Sequence, residues 1–163
     1  MKKHLTFILS CLLLLLVTEA ATAQARFDRK KLYMVTPAGQ PDKAWNFSAN
    51  SPKIQLTSKN ESNKSQLWSI ADLSGSFRLI NPYENQAVQA AANRFVQVAE
   101  TNGSDEMQLW LIKPVGNYVQ FIPSNQAKWV AATQKDGTIA LVDAAKAGES
   151  KETLFSITAS SVA

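Results

Sequence analysis

The 163-residue chain has one cysteine, Cys11, and one histidine, His4, both ahead of Gln24. Residues 1–23 read as an export signal. Lys2 and Lys3 give the positive start, and Ala21-Thr22-Ala23 is a small-x-small cleavage site before Gln24. Between them, Phe7 to Val17 is an apolar core broken only by Ser10. The core is too short for an anchor, since spanning a bilayer takes ~20 apolar residues. Cys11 lies inside the core rather than behind it, which argues against lipidation. The expected mature chain therefore has no cysteine and no histidine. That excludes disulfides in spite of export. It also excludes a cysteine nucleophile, a Ser-His-Asp triad and a zinc site of ordinary ligands. No cofactor, metal ligand or catalytic residue is expected. A carboxylate pair is the main catalytic route left. The acids fall in turn-like sequence such as Asn102-Gly103-Ser104-Asp105-Glu106, where solvated loop charge accounts for them.

A strong charge of one sign is also missing. Removing Lys2, Lys3 and Glu19 from 17 basic and 13 acidic residues leaves 15 and 12, a net of +3. A charge of that size does not point to nucleic acid. The basic cluster Arg26-Phe27-Asp28-Arg29-Lys30-Lys31 lies at the expected new N-terminus, and residues 24–31 read as a solvated, mobile end. The short dilysine start resembles a bacterial signal. In that setting the Asn-x-Ser triplets at Asn46, Asn60, Asn63 and Asn102 are not glycosylation sites. The stretch from Gln24 to Ala163 is the size of one domain.

What is present is a repeat. Ser65-Gln66-Leu67-Trp68-Ser69-Ile70 returns as Met107-Gln108-Leu109-Trp110-Leu111-Ile112. A worn copy, Glu152-Thr153-Leu154-Phe155-Ser156-Ile157, follows at nearly the same interval, with Phe for Trp and Thr for Gln. Upstream, Leu32–Pro37, Phe77–Pro82 and Tyr118–Pro123 align as first strands. Ala44–Phe47, Ala87–Ala90 and Trp129–Ala132 align as second strands, and Lys53–Thr57, Phe95–Ala99 and Thr138–Val142 as third strands. The runs are short, rich in β-branched and aromatic residues, and bounded by turn residues; Lys135-Asp136-Gly137 is a hairpin signal. Ala87–Ala92 and Val142–Ala147 are the weakest strands, because alanine dominates and a helical turn also fits. Helical repeats would need longer amphipathic segments, and a propeller typically takes four or more blades. Three units of four strands predict an all-β domain, a β-trefoil with pseudo-threefold symmetry. It is expected over residues 32–163, with repeats at about 32–74, 75–116 and 117–159. Trp68, Trp110 and Phe155 are then equivalent, and core packing explains them better than stacking on a ligand.

Gln66-Leu67-Trp68 and Gln108-Leu109-Trp110, at this spacing, resemble the Gln-x-Trp signature of ricin B-type lectin domains, and Ile54-Gln55-Leu56 fits a unit of that family. The likeness covers residues 32–158 and implies a secreted, non-enzymatic, sugar-binding β-trefoil. In that family a competent unit offers an Asp on its second strand, an aromatic after the third, and an Asn before the Gln of Gln-x-Trp. Here the first unit has Asn46, Thr57 and Ser65, with Gln55 and Gln66 retained. The second has Gln89, Ala99 and Met107, with Gln97 and Gln108 retained. The third has Ala131, Val142 and Glu152, with Ala140 and Thr153 for the glutamines. No unit keeps the Asp or the ring. The candidate carbohydrate contacts are Asn46, Gln55, Thr57, Ser65, Gln66, Gln89 and Gln97. If any unit binds sugar, this pattern favours the first. Asn46 and Gln89 also read as ordinary surface amides. The expected partner is a weakly held glycan. The alternative is a trefoil used for protein contact, its sugar sites lost.

Overall fold

The computed structural model describes residues 27–162; the expected export signal, with Cys11 and His4, lies outside the described residues. Twelve strands follow one another. The first unit holds β1 (Tyr33–Pro37), β2 (Lys43–Ser48), β3 (Ser51–Ser58) and β4 (Ser69–Leu73). The second holds β5 (Ser76–Asn81), β6 (Gln86–Ala90), β7 (Val96–Glu100) and β8 (Trp110–Val115). The third holds β9 (Tyr118–Pro123), β10 (Trp129–Thr133), β11 (Ile139–Asp143) and β12 (Phe155–Ala159). Single 3-10 turns at Lys64–Gln66, Glu106–Gln108 and Lys151–Thr153 precede each fourth strand.

Pairing closes a barrel. The fourth strand of each unit runs antiparallel to the first strand of the next: β4 with β5, β8 with β9, β12 with β1. Each fourth strand also touches its own first strand once, at Trp68↔Tyr33, Trp110↔Phe77 and Phe155↔Val119. Six strands thus form a ring without an edge. The second and third strands form three hairpins that cap one end. The hairpins meet at Lys53↔Gln97, Gln55↔Thr138 and Phe95↔Ala140. The fold is a β-trefoil.

The repeat motif supplies the core. Trp68, Trp110 and Phe155 are fully buried, with Trp45, Phe77 and Phe121 packed among them. Trp45 lies 4.9 Å from Phe121 and 5.2 Å from Phe155, centroid to centroid. Rings of this size are worth roughly 1.5–3 kcal/mol each in removed apolar surface.

Two alignments shift by one position. The single contacts above make Tyr33, Phe77 and Val119 equivalent, so Asn81, and not Pro82, matches Pro37 and Pro123. Asn81 is buried and ends its strand by hydrogen bonds instead of by ring geometry. It donates to the carbonyls of Lys64 and Leu67 and accepts from the amides of Tyr83 and Glu84. In the third unit, Ala131 pairs with Leu141 as Trp45 pairs with Leu56 and Val88 with Val98. Ala132, opposite Ala140, therefore stands where Asn46 and Gln89 stand. Of the alanine-rich runs, Gln86–Ala90 is a strand. Ala144–Ala147 is a helical turn whose amides at Ala145 and Lys146 are capped by Asp143.

The basic N-terminal segment is docked from Phe27 onward rather than free. Phe27 meets Tyr33 and Phe77 edge-on at 5.4 and 5.5 Å. The Asp28 amide donates to the Tyr33 hydroxyl, and Arg29 donates to the Asp72 carbonyl. An aromatic side chain in the middle of the basic run has no role in a solvated tail; here it packs against the core.

Candidate functional site

The glutamine of the repeat motif is structural. Gln66 is fully buried. Its Oε1 accepts from the Asn60 amide at 2.8 Å, and its Nε2 donates to Thr57 Oγ1 and the Ser58 carbonyl at 2.8 and 2.9 Å. Fully buried, with both N–H groups donated within the fold, the amide is out of a ligand's reach, and this corrects the expectation that Gln66 contacts sugar. Thr57 is drawn into the same contact. Gln108 repeats the arrangement with the Asn102 amide and the Glu100 carbonyl. In the third unit Thr153 is too short to do this, and Gln120 arrives from β9 instead. It donates to the Gly148 carbonyl at 2.8 Å and to Thr153 Oγ1 at 3.0 Å. Arg78, at the matching place on β5, reaches the Gly103 carbonyl.

The outward amides of the two remaining units differ. In the first, Asn46 accepts from Asn63 Nδ2 at 3.0 Å and donates to the Phe47 carbonyl at 2.9 Å, so both ends of the amide are engaged. Gln55 is exposed and lies at the hairpin junction opposite Thr138. Ser65 is half-buried and lines a different surface, a cleft shared with the second unit. The five candidates of the first unit thus do not converge on one pocket.

In the second unit Gln89 and Gln97 stand directly opposite each other on β6 and β7. Gln89 Nε2 donates to Asp105 Oδ2 at 2.9 Å. The other oxygen, Asp105 Oδ1, accepts from the Met107 amide and caps the 3-10 turn. Asp105 also borders an open hollow of about 500 Å3 with Ala99, Glu100 and Asn102. No second strand carries the carboxylate that the lectin pattern places there. It comes instead from the turn before Gln108. The signal was present: Asn63, Asp105 and Ser150 each stand three positions before the motif residue, in the place of a helix N-cap.

Elsewhere Arg94 lies over the Trp129 ring at 4.4 Å and Lys128 at 5.2 Å. Among the described residues no group of three His, Cys, Asp or Glu side chains is placed to hold a metal, and no helix is long and apolar enough to cross a membrane.

No protein-family model and no curated protein matches the sequence. Solved structures match its shape. A GlcNAcα1-4Gal releasing endo-β-galactosidase from Clostridium perfringens aligns with TM-score 0.71 and 14% identity over 79% of this chain, which spans 32% of that enzyme. The designed threefold-symmetric protein ThreeFoil aligns at 0.67 and 14%, over 78% of this chain and 97% of its own. A Polyporus squamosus lectin, solved with the epitope Neu5Acα2-6Galβ1-4GlcNAc, aligns at 0.66 and 13%, over 82% of this chain and 50% of its own. At these identities the likeness is one of fold.

Proposed function

We propose that this protein is an exported, non-catalytic carbohydrate-binding module of the ricin B lectin type, with degenerate sugar sites, and that its second unit carries the principal one. The observation behind this reading is the Gln89–Asp105 hydrogen bond beside Gln97. A carboxylate and two amides on one face suit vicinal hydroxyls, because each hydroxyl both donates and accepts. The carboxylate contributes charge-assisted bonds. The first unit is second in rank, since its Asn46 is already held by Asn63 and Phe47.

Ala99 stands where the family has a ring, so the sugar's apolar face is left uncovered. A stacked ring is worth roughly 0.5–1.5 kcal/mol beyond its area. Affinity for one monosaccharide should therefore be weak, about millimolar. Longer glycans or clustered copies would raise it. Export is supported by the pattern of residues 1–23, with cleavage before Gln24, and the absence of histidine and cysteine beyond them supports a non-catalytic role.

A broad glycan array with the exported protein tests the reading. The expected result is binding to a defined glycan class that drops on Asp105→Asn. A blank array would favour the protein-contact alternative, for which Leu73 and Tyr118, 42% and 39% accessible, are exposed apolar groups. N-terminal sequencing should begin at Gln24; a start at Met1 would overturn export.

A further inference from the structure

The three unit boundaries are not alike, and the difference opens a cleft at one of them. The residue before the motif glutamine is Ser65 in the first unit and Met107 in the second, and Glu152 takes that place in the third. At the boundary of the second and third units Met107 fills the space, its sulfur 3.9 and 3.8 Å from the side-chain amides of Asn125 and Gln126. At the boundary of the first and second, Ser65 is too small to do so. A cleft of about 340 Å3 remains, lined by Phe47, Ser48 and Ser65 of the first unit and by Glu84, Gln86 and Val98 of the second. The boundary is braced by Asn81, which bonds back to Lys64 and Leu67, and by Lys64, which lies 4.7 Å over the Tyr83 ring.

The lining is polar at the rim and apolar at the floor. Phe47 and Val98 are each 7% exposed, so the floor is a small apolar patch, enough for a methyl group but not for the face of a sugar ring. Phe47 is held against Trp68 at 5.9 Å and cannot swing out without disturbing the core. At its place the other units carry Ala90 and Thr133, which offer no such floor. The Glu84 carboxylate, the Gln86 amide and the Ser65 hydroxyl form no side-chain hydrogen bond with another described residue.

We propose that this cleft binds an N-acetylated hexosamine unit of a glycan. The acetyl methyl packs on Phe47 and Val98. The acetamido N–H donates to the Glu84 carboxylate, and ring hydroxyls meet Gln86 and Ser65. The proposal rests on the saccharide-binding reading above, but uses none of the residues of the Gln89–Asp105 face.

The test is an amide-resolved NMR titration of the whole exported chain with the methyl glycoside of N-acetylglucosamine, and with methyl glucoside as the control. Saturating shifts are expected at the amides of Ser48, Ser65, Gln86 and Val98. Binding of the glucoside should be about tenfold weaker, the discrimination that a buried methyl-sized group supplies. Ser65→Met, which installs the second unit's own residue, should weaken binding of the N-acetyl sugar at least about tenfold by filling the cleft. Glu84→Gln, at an exposed position, should weaken it without loss of melting temperature, and keeps the test decisive if the methionine variant does not fold. Equal response to both sugars, or N-acetyl binding that ignores both substitutions, overturns the proposal. Shifts confined to Gln89, Gln97 and Asp105 would overturn the cleft and leave the general reading standing. No shift with either sugar, together with a blank array, would overturn both.

Discussion

The motif glutamine holds the fold together rather than facing a ligand. Gln66 ties the loop after β3 to the 3-10 turn, and Gln120 performs that task in the third unit from another strand. Removing a buried amide strands its partners, at about 1–3 kcal/mol for each group left unsatisfied. Gln66→Leu should therefore destabilise by roughly 2–4 kcal/mol in urea unfolding, and Gln120→Leu by less, about 1 kcal/mol, since Thr153 Oγ1 still donates to the Gly148 carbonyl. A negligible effect at Gln120 would show that the third unit does not use it as a substitute. The tryptophans, equivalent in the motif, separate in a similar way. Trp110 Nε1 donates to the Val88 carbonyl at 2.9 Å, whereas Trp68 Nε1 is buried with no partner among the described residues. Trp68→Ala should cost roughly 3–5 kcal/mol, as large-to-small core changes do. In the gentler Trp→Phe pair the two should part: Trp110→Phe is the costlier by about 1 kcal/mol, the worth of its hydrogen bond. Equal losses in the two Phe variants would contradict this.

At the scale of elements, the turns decide what the strands cannot. Asn81 anchors the β5–β6 turn to the first unit with two donated and two accepted bonds. Asn81→Ala should destabilise by roughly 2–4 kcal/mol and broaden the signals of Tyr83 and Glu84, since it leaves the buried Leu67 carbonyl unpaired and takes the acceptor from the Tyr83 and Glu84 amides. A change below about 0.5 kcal/mol, the level of an ordinary surface site, would contradict that anchoring role. The C-terminal segment is held by Glu61, which accepts from the Ser161 hydroxyl and from its amide at 2.9 Å. These bonds, the side-chain one first, hold the Glu61 carboxyl below its usual range. A carboxyl lowered in the folded state gives its stabilisation above the unfolded value and loses it as pH falls through the folded one. The Ser161 amide should therefore keep its chemical shift through neutral pH and move only in acid, below the ordinary glutamate range; titration at the ordinary value would contradict the contact.

Much of this level was legible in the repeat. Strand identity and the buried aromatics followed from the motif and from apolar runs bounded by turn residues. The one-position slips came where chemistry replaced shape: Asn81 does by hydrogen bonding what proline does elsewhere, and the alanines of β10 carry no size contrast to fix their register. The capping position of Asp105 was legible before Gln108, but its contact with Gln89 was not, because the carboxylate approaches from a distant turn rather than along the strand. The Ser65 cleft was hidden because an absent volume at a unit boundary has no sequence motif.

For the molecule as a whole, closure sets stability and the inequality of the units underlies the proposed function. β1 pairs with β12 from Tyr33 to Pro37, and Tyr33↔Trp68 completes the ring. Opening any one unit exposes the shared aromatic core, so unfolding should be cooperative, with tryptophan fluorescence and backbone signals lost together. Separate transitions would mean that the units are independent. A symmetric barrel would offer three equal faces. Here the first unit's amide is held by Asn63 and Phe47, the third has Ala132 at that place, and only the second pairs an amide with a carboxylate. The most direct test of that claim is a side-by-side titration of Gln89→Ala and Asn46→Ala with the best glycan from the array, each variant checked by thermal melting. The account predicts that Gln89→Ala loses binding at nearly unchanged melting temperature, while Asn46→Ala binds as the unaltered protein does. Saturable binding that survives Gln89→Ala but disappears with Asn46→Ala would contradict it.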